Sequence, residues 1–266
     1  MNETVLWALV ATIGTWGLTA LGAATVVFFR SPNRKFMNLA LGFAAGVMIA
    51  ASFWSLLQPA IERAEKDSGI PAYAVATLGF LAGAVFMWAS DKIVTCARKR
   101  AYAEQEDSGA RMGRIIMLIL SITLHNIPEG LAVGVAFGVL GKNAAPESIM
   151  GAMTIAIGIG LQNFPEGAAV SLPLRREGYS RKRSFFLGQA SGMVEPVAGV
   201  LGALLVVYVE AILPFVLSFA AGAMILVAVH ELIPECRQNM EDQPYFATMG
   251  IVTGFAVMML LDVMLG

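Results

Sequence analysis

Two near-copies of one hexapeptide hold the residues best able to do chemistry. The first is His125-Asn126-Ile127-Pro128-Glu129-Gly130; the second is Gln162-Asn163-Phe164-Pro165-Glu166-Gly167. Each sits inside a long apolar run, where an amide, a carboxylate and a proline are out of place. His125 and Glu129 are i and i+4, so on a helix they share a face, and Asn126 stands three residues before Glu129. Gln162, Asn163 and Glu166 repeat that geometry, and Glu195 adds a third carboxylate from a later run. Imidazole nitrogen with carboxylate and amide oxygens suits zinc and its first-row neighbours better than sodium or potassium. The spacing predicts two adjacent metal positions. One uses His125, Glu129, Gln162 and Glu166. The other uses Asn126, Asn163 and Glu195, with Glu129 and Glu166 as bridges.

The charge balance of the apolar runs points the same way. Glu129, Glu166 and Glu195 each lie about 11–18 residues into a predicted span, which is roughly mid-bilayer. No Lys or Arg lies deep in any span to pair with them. A carboxylate at that depth is unfavourable by at least a few kcal/mol unless protonated, hydrated or bound to a cation. Pro128 and Pro165 each remove a backbone donor, freeing the carbonyls of Leu124 and Leu161. At membrane depth a free carbonyl must face protein or a watery cavity. Gly130 and Gly167 then let a neighbouring helix come close.

The elements that must position these groups are membrane spans. Hydrophobic residues make up 57% of the 266-residue chain and charged residues only 14%, with mean hydropathy +0.70. A soluble domain carries about 25% charge. The net charge of −1 argues against a nucleic-acid partner. Eight apolar runs fall at approximately 5–29, 36–58, 73–94, 115–139, 149–172, 184–208, 212–234 and 245–264, each near the length of a spanning helix. The first has Glu3 and no basic residue before it, and its apolar core is too long for a signal peptide, so it reads as a retained helix.

Arg and Lys orient the spans. Arg30, Arg34 and Lys35 follow the first span. Lys92, Arg98, Lys99, Arg100, Arg111 and Arg114 follow the third. Arg175, Arg176, Arg181, Lys182 and Arg183 follow the fifth, and Arg237 follows the seventh. Only Arg63, Lys66 and Lys142 fall on the other side. The positive-inside rule therefore places both termini outside the cytoplasm. Cys96 and Cys236 fall on the cytoplasmic side, where a disulfide is not expected.

An internal repeat frames the motifs. Phe43-Ala44-Ala45-Gly46-Val47-Met48-Ile49 in the second span matches Phe219-Ala220-Ala221-Gly222-Ala223-Met224-Ile225 in the seventh. Gly83, Met87 and Asp91 in the third match Gly254, Met258 and Asp262 in the eighth. These partners cross in opposite senses, as in an inverted repeat of three helices, a central pair, then three helices. Such repeats place the substrate site near the midplane at their interface. The fold class predicted is an all-α integral membrane protein, with eight transmembrane helices in a 3+2+3 inverted-repeat arrangement forming one transporter domain over 1–266.

Paired motifs of this form on the fourth and fifth of eight helices resemble the ZIP (Zrt/Irt-like) family of divalent metal transporters, in particular its bacterial members. The likeness covers essentially the whole chain, including Ala221-Gly222-Ala223-Met224 and His230-Glu231-Leu232-Ile233-Pro234-Glu235. It implies a binuclear site between helices 4, 5 and 6, with His125, Asn126, Glu129, Gln162, Asn163, Glu166 and Glu195 as ligands. It also implies zinc as the substrate moving toward the cytoplasm across the cell membrane, and a homodimer. Cd2+, Fe2+, Co2+ and Mn2+ remain open as substrates. Many relatives carry His where this chain has Gln162, and some carry an acid in place of Asn163. Those departures make the site harder in character and less charged. The segment from about 95 to 113 has no histidine, so no histidine-based sensing loop is expected.

Three further residues suggest a release path: Asp91, His230 and Glu231, near the cytoplasmic ends of their helices. Glu62 and Asp262 lie toward the outer face, where they would attract cations at an entrance. Other functions fit less well. An intramembrane zinc protease needs H-E-x-x-H or a His-rich triad, but Pro234 stands where the second His should follow His230-Glu231, and the chain has two histidines in all. A metal-gated receptor is disfavoured by the crowding of ligands at one depth. The expected protein is a carrier and not an enzyme, with metal ions and the lipid bilayer as its partners.

Overall fold

Apolar runs of this length can satisfy their backbone polar groups in lipid only as helices or closed barrels. In the computed structural model all regular structure among the described residues is helical. The structure describes residues 3–29, 33–66, 70–103, 108–140, 144–176, 178–208, 210–237 and 245–265, without the side chains of 97–122, 176, 208 and 210. Arg30 and Lys142 therefore lie outside the described residues, as do the side chains of Arg98, Lys99, Arg100, Arg111, Arg114 and Arg176.

The long helices are α1 (Glu3–Val27), α2 (Arg34–Lys66), α3 (Ala72–Ala103), α4 (Ser108–Gly138), α5 (Pro146–Arg176), α6 (Arg181–Val207), α7 (Leu213–Arg237) and α8 (Tyr245–Leu265). Six of them, α1 to α3 and α6 to α8, are long and apolar enough to cross a membrane. The two that carry the motifs have 31 residues each, about 46 Å of helix. Several helices extend past the apolar runs of the sequence, because polar residues at a helix end face water and need not stop the hydrogen-bond ladder. Leu78, Leu81, Val85 and Trp88 on α3, and Val197, Leu201 and Leu205 on α6, point outward. A surface this apolar fits a lipid solvent.

Small residues set the helix pairs. A methyl group on Gly83 of α3 would collide with the Phe219 carbonyl of α7, and one on Gly222 of α7 with the Phe80 carbonyl. A methyl on Gly254 of α8 would meet the Phe43 carbonyl of α2, and one on Gly46 the Ile251 carbonyl. Gly130 and Gly134 of α4 lie against the α6 backbone at Glu195 and Gly199, while Gly22 of α1 and Gly167 of α5 meet at Phe164 and Thr19. The tight pairs are thus α2–α8, α3–α7, α4–α6 and α1–α5, as expected where packing of small residues drives helix association. The apolar core runs between them through Met48, Leu56, Met87, Ile159, Leu213 and Met224.

Three interruptions of helix geometry matter for function. A π-helical turn occupies Ser52–Leu57 in α2, and another occupies Ala228–Leu232 in α7. In α6 a 3₁₀ turn at Ser191–Met193 precedes Glu195. Such turns are frequent at functional sites because they re-aim side chains and leave carbonyls available. Pro128 and Pro165, by contrast, sit inside continuous helices. They free a carbonyl without ending the helix. The reversal from α5 to α6 uses Gly178, whose φ of 94° only glycine adopts readily. Gly178 N–H donates to the Arg175 carbonyl and Tyr179 N–H to the Leu174 carbonyl, each at 3.2 Å, closing α5 in a Schellman cap.

Candidate metal centre

All seven ligands expected from the motifs are buried, none more than 8% exposed. They come from α4, α5 and α6, and their first contacts are mostly with one another. Gln162 Nε2 donates to Glu129 Oε1 at 2.5 Å. Asn163 Nδ2 lies 2.9 Å from both oxygens of Glu195 and 3.2 Å from the Thr15 carbonyl. Asn126 Nδ2 donates to the Ser191 carbonyl in the 3₁₀ turn of α6 at 2.9 Å. Glu129 has Glu166 and Glu195 as its charged neighbours, so the three carboxylates share one electrostatic environment. Among the described residues no Lys or Arg pairs with any of them.

The amide donors of this cluster are occupied, and four of its acceptors are not. Asn126 Oδ1, Glu129 Oε2, Gln162 Oε1 and Asn163 Oδ1 are each buried without a hydrogen-bond partner among the described residues. A single buried unsatisfied oxygen is unfavourable by about 1–3 kcal/mol. Four on adjacent motif residues, all acceptors, make a place that a cation would satisfy. Among the described residues no three His, Cys, Asp or Glu side chains converge on one point. Glu129, Glu195 and Glu231 are instead paired with amides, hydroxyls and an imidazole.

That imidazole pairs with an unexpected partner. His125 Nε2 lies 2.6 Å from Glu231 Oε1, on the π-turn of α7. The spacing of the sequence put His125 with Glu129 on one helix face and Glu231 on a separate release path. The structure joins Glu231, on the π-turn of α7, to the motif itself. Glu166 likewise has Glu195 and Glu231 as charged neighbours. His230 and Asp91 do meet, at 3.9 Å between Nε2 and Oδ2, and the His230 side chain is 65% exposed.

The two outer acids fall together as well. Glu62 and Asp262 line one cavity of about 640 Å³, together with Trp54, Ser55, Arg63 and Ile155. Asp262 accepts from Ser55 Oγ at 2.6 Å, and Glu62 from Gln58 Nε2 at 3.0 Å. Sequence reading missed Thr15 and Thr19 of α1, whose hydroxyls reach Glu195 at 2.5 and 3.4 Å. The available signal was the spacing of Thr12, Thr15 and Thr19, which puts three hydroxyls on one face of an otherwise apolar helix.

Comparison with known proteins agrees with the motif. The family model described as "ZIP Zinc transporter" matches residues 98–262. The human protein named "Zinc transporter ZIP11" is 40% identical, covering 100% of this chain and 99% of its own length. "Zinc transporter GufA" of Myxococcus xanthus is 36% identical over 97% of this chain and 98% of its own. "Zinc transporter ZIPB" of Bordetella bronchiseptica is 35% identical over 93% and 78%. With its paired motifs buried among apolar helices, and with likeness of that extent, this chain belongs to the ZIP family of metal transporters and is a multi-pass membrane protein.

Proposed function

We propose that this chain carries zinc across the cell membrane toward the cytoplasm, through a site with two metal positions between α4, α5 and α6. The observation that carries the reading is the set of four unpartnered buried oxygens on Asn126, Glu129, Gln162 and Asn163. A cation meets acceptors there without first displacing a donor. The names of the relatives support zinc among the first-row metals. Occupation of both positions requires Glu129 and Glu166 to bridge, and so requires the pairs Gln162–Glu129 and His125–Glu231 to open as the ion arrives.

The wider reading is that α4 and α5 also span the bilayer, giving eight spans with both termini outside. The 3+2+3 inverted repeat has support in the packing. Exchanging α1 with α6, α2 with α7, α3 with α8 and α4 with α5 turns the pair α2–α8 into α7–α3, and α4–α6 into α5–α1. The equivalence reaches single residues: Gly83 on the Phe219 carbonyl corresponds to Gly254 on the Phe43 carbonyl. The π-turns begin at Ser52 and Ala228, the same offset that relates Phe43 to Phe219. In this orientation the cavity with Glu62 and Asp262 opens outward, and Asp91, His230 and Glu231 lie on the cytoplasmic side. Alternating exposure of the site follows from rocking one half against the other, and the family resemblance adds a homodimer.

Uptake of radioactive zinc into proteoliposomes, in competition with cadmium, iron, cobalt and manganese and under imposed pH gradients, tests the reading. Saturable uptake that zinc competes for best is expected. Rapid unsaturable flux contradicts a carrier.

A further inference from the structure

Beside the metal centre, α1 supplies hydroxyls and no ligands. Thr12, Thr15 and Thr19 are all buried at i, i+3 and i+7, along one stripe. A threonine inside a helix ordinarily returns its hydroxyl to the backbone one turn earlier. Thr12 does so, donating to the Ala8 carbonyl at 2.8 Å. Thr15 Oγ1 instead lies 2.5 Å from Glu195 Oε2. Thr19 Oγ1 lies 3.4 Å from Oε1 of the same carboxylate. Close approach of α1 to α6 depends on Gly192, where a methyl group would stand 3.0 Å from Thr19 Oγ1 and 3.1 Å from Glu195 Oε1.

We propose that Thr15, seconded by Thr19, is a positioning residue that holds Glu195 beside Asn163 in the place where it meets the cation and keeps it there while the cation is bound. The inference rests on the transport reading given above. A hydroxyl has one proton to donate, and the nearer acceptor for that of Thr15 is Glu195, with the Thr12 carbonyl farther off at 3.1 Å. Without Thr15, the carboxylate keeps only Asn163 and the longer Thr19 contact. Asn163 must then both steady Glu195 and present Oδ1 to the ion. The loss falls on binding of the ion rather than on the rate of the loaded carrier.

The test compares wild type, Thr15→Val, Thr15→Ser and Thr12→Val in proteoliposomes, measuring initial zinc uptake against zinc concentration. Thr15→Val raises KM about tenfold, the size of one lost hydrogen bond to a charged group, and leaves the maximal rate within about twofold. Thr15→Ser restores the wild-type KM. Thr12→Val stays near wild type, because its hydroxyl bonds only its own helix. A wild-type KM in Thr15→Val overturns the proposal. So does a loss confined to the maximal rate, a loss that serine does not repair, or an equal loss in Thr12→Val. Wild-type protein without saturable uptake overturns the transport reading instead. Equilibrium dialysis of zinc against the same variants then still decides on Thr15: about tenfold weaker binding in Thr15→Val, repaired by serine, supports it, and equal binding overturns it.

Discussion

The two hexapeptides share a sequence pattern and differ in what they hold. The first reaches outward from its helix: His125 pairs with Glu231 on α7, and Asn126 binds the Ser191 carbonyl on α6. The second reaches inward: Gln162 binds Glu129, and Asn163 binds Glu195 and the Thr15 carbonyl. Their glycines differ in the same way. Gly130 lies against the α6 backbone at Glu195, and Gly167 against α1 at Thr19. One copy therefore ties the site to the neighbouring helices α6 and α7. The other copy assembles the site itself. Near-identical motifs on successive helices can thus divide one task, with the imidazole turned to a neighbouring helix and the amide turned to the other copy.

Substitutions at matched positions test that division. The largest effect belongs to Glu129, which both copies need. Glu129→Ala abolishes zinc uptake while the protein still inserts and purifies; near-normal uptake by the inserted variant would remove Glu129 from the centre of the account. Next comes the outward link. Glu231→Ala frees His125 of the partner it must leave and lowers the KM for zinc about tenfold, a charged hydrogen bond's worth, whereas Glu62→Ala, on the outer cavity, changes it little. Equal effects of the two would erase the distinction between a residue bound to the motif and one lining an entrance.

Smaller shifts follow at the inward copy. Gln162→His replaces an oxygen ligand by nitrogen and raises the ratio of zinc to manganese uptake, on the order of severalfold. An unchanged ratio in a competition assay rejects the asymmetry as the source of selectivity. Last are the glycines. A methyl on Gly130 would stand 2.6 Å from the Glu195 carbonyl oxygen, and one on Gly167 stands closer still to that of Thr19. These obstacles are backbone atoms and cannot swing aside. Each alanine substitution destabilises the purified protein by about 1–3 kcal/mol, Gly167→Ala by the greater amount, as read from thermal unfolding in detergent. Wild-type melting of both would mean that the helix crossings are looser than described.

Much of the architecture was legible because lipid leaves few options. Long apolar runs had to be helices, and carboxylates without basic partners had to meet a cation, a proton or water. The candidate site residues were legible because His125, Glu129, Gln162 and Glu166 stand at helical spacing. The partner of His125 was not. Glu231 reaches it through a π-turn, and nothing in the local pattern of Ala228–Leu232 announces one extra residue in that turn. Thr15 and Thr19 escaped for another reason. Threonine in an apolar helix can bond its own backbone and so carries no signal by type. Only the packing of α1 against α6, at Gly192 and Gly199, brings those hydroxyls to Glu195.

The central claim is that buried oxygens of both copies, with one imidazole, surround the ion. X-ray absorption at the zinc edge, on zinc-loaded protein carrying His230→Ala so that His125 is the sole histidine, reads that shell directly. The account predicts oxygen and nitrogen neighbours at about 2.0–2.2 Å with the multiple scattering of a single imidazole. A sulfur neighbour at about 2.3 Å, a shell of water alone, or no retained zinc would contradict it.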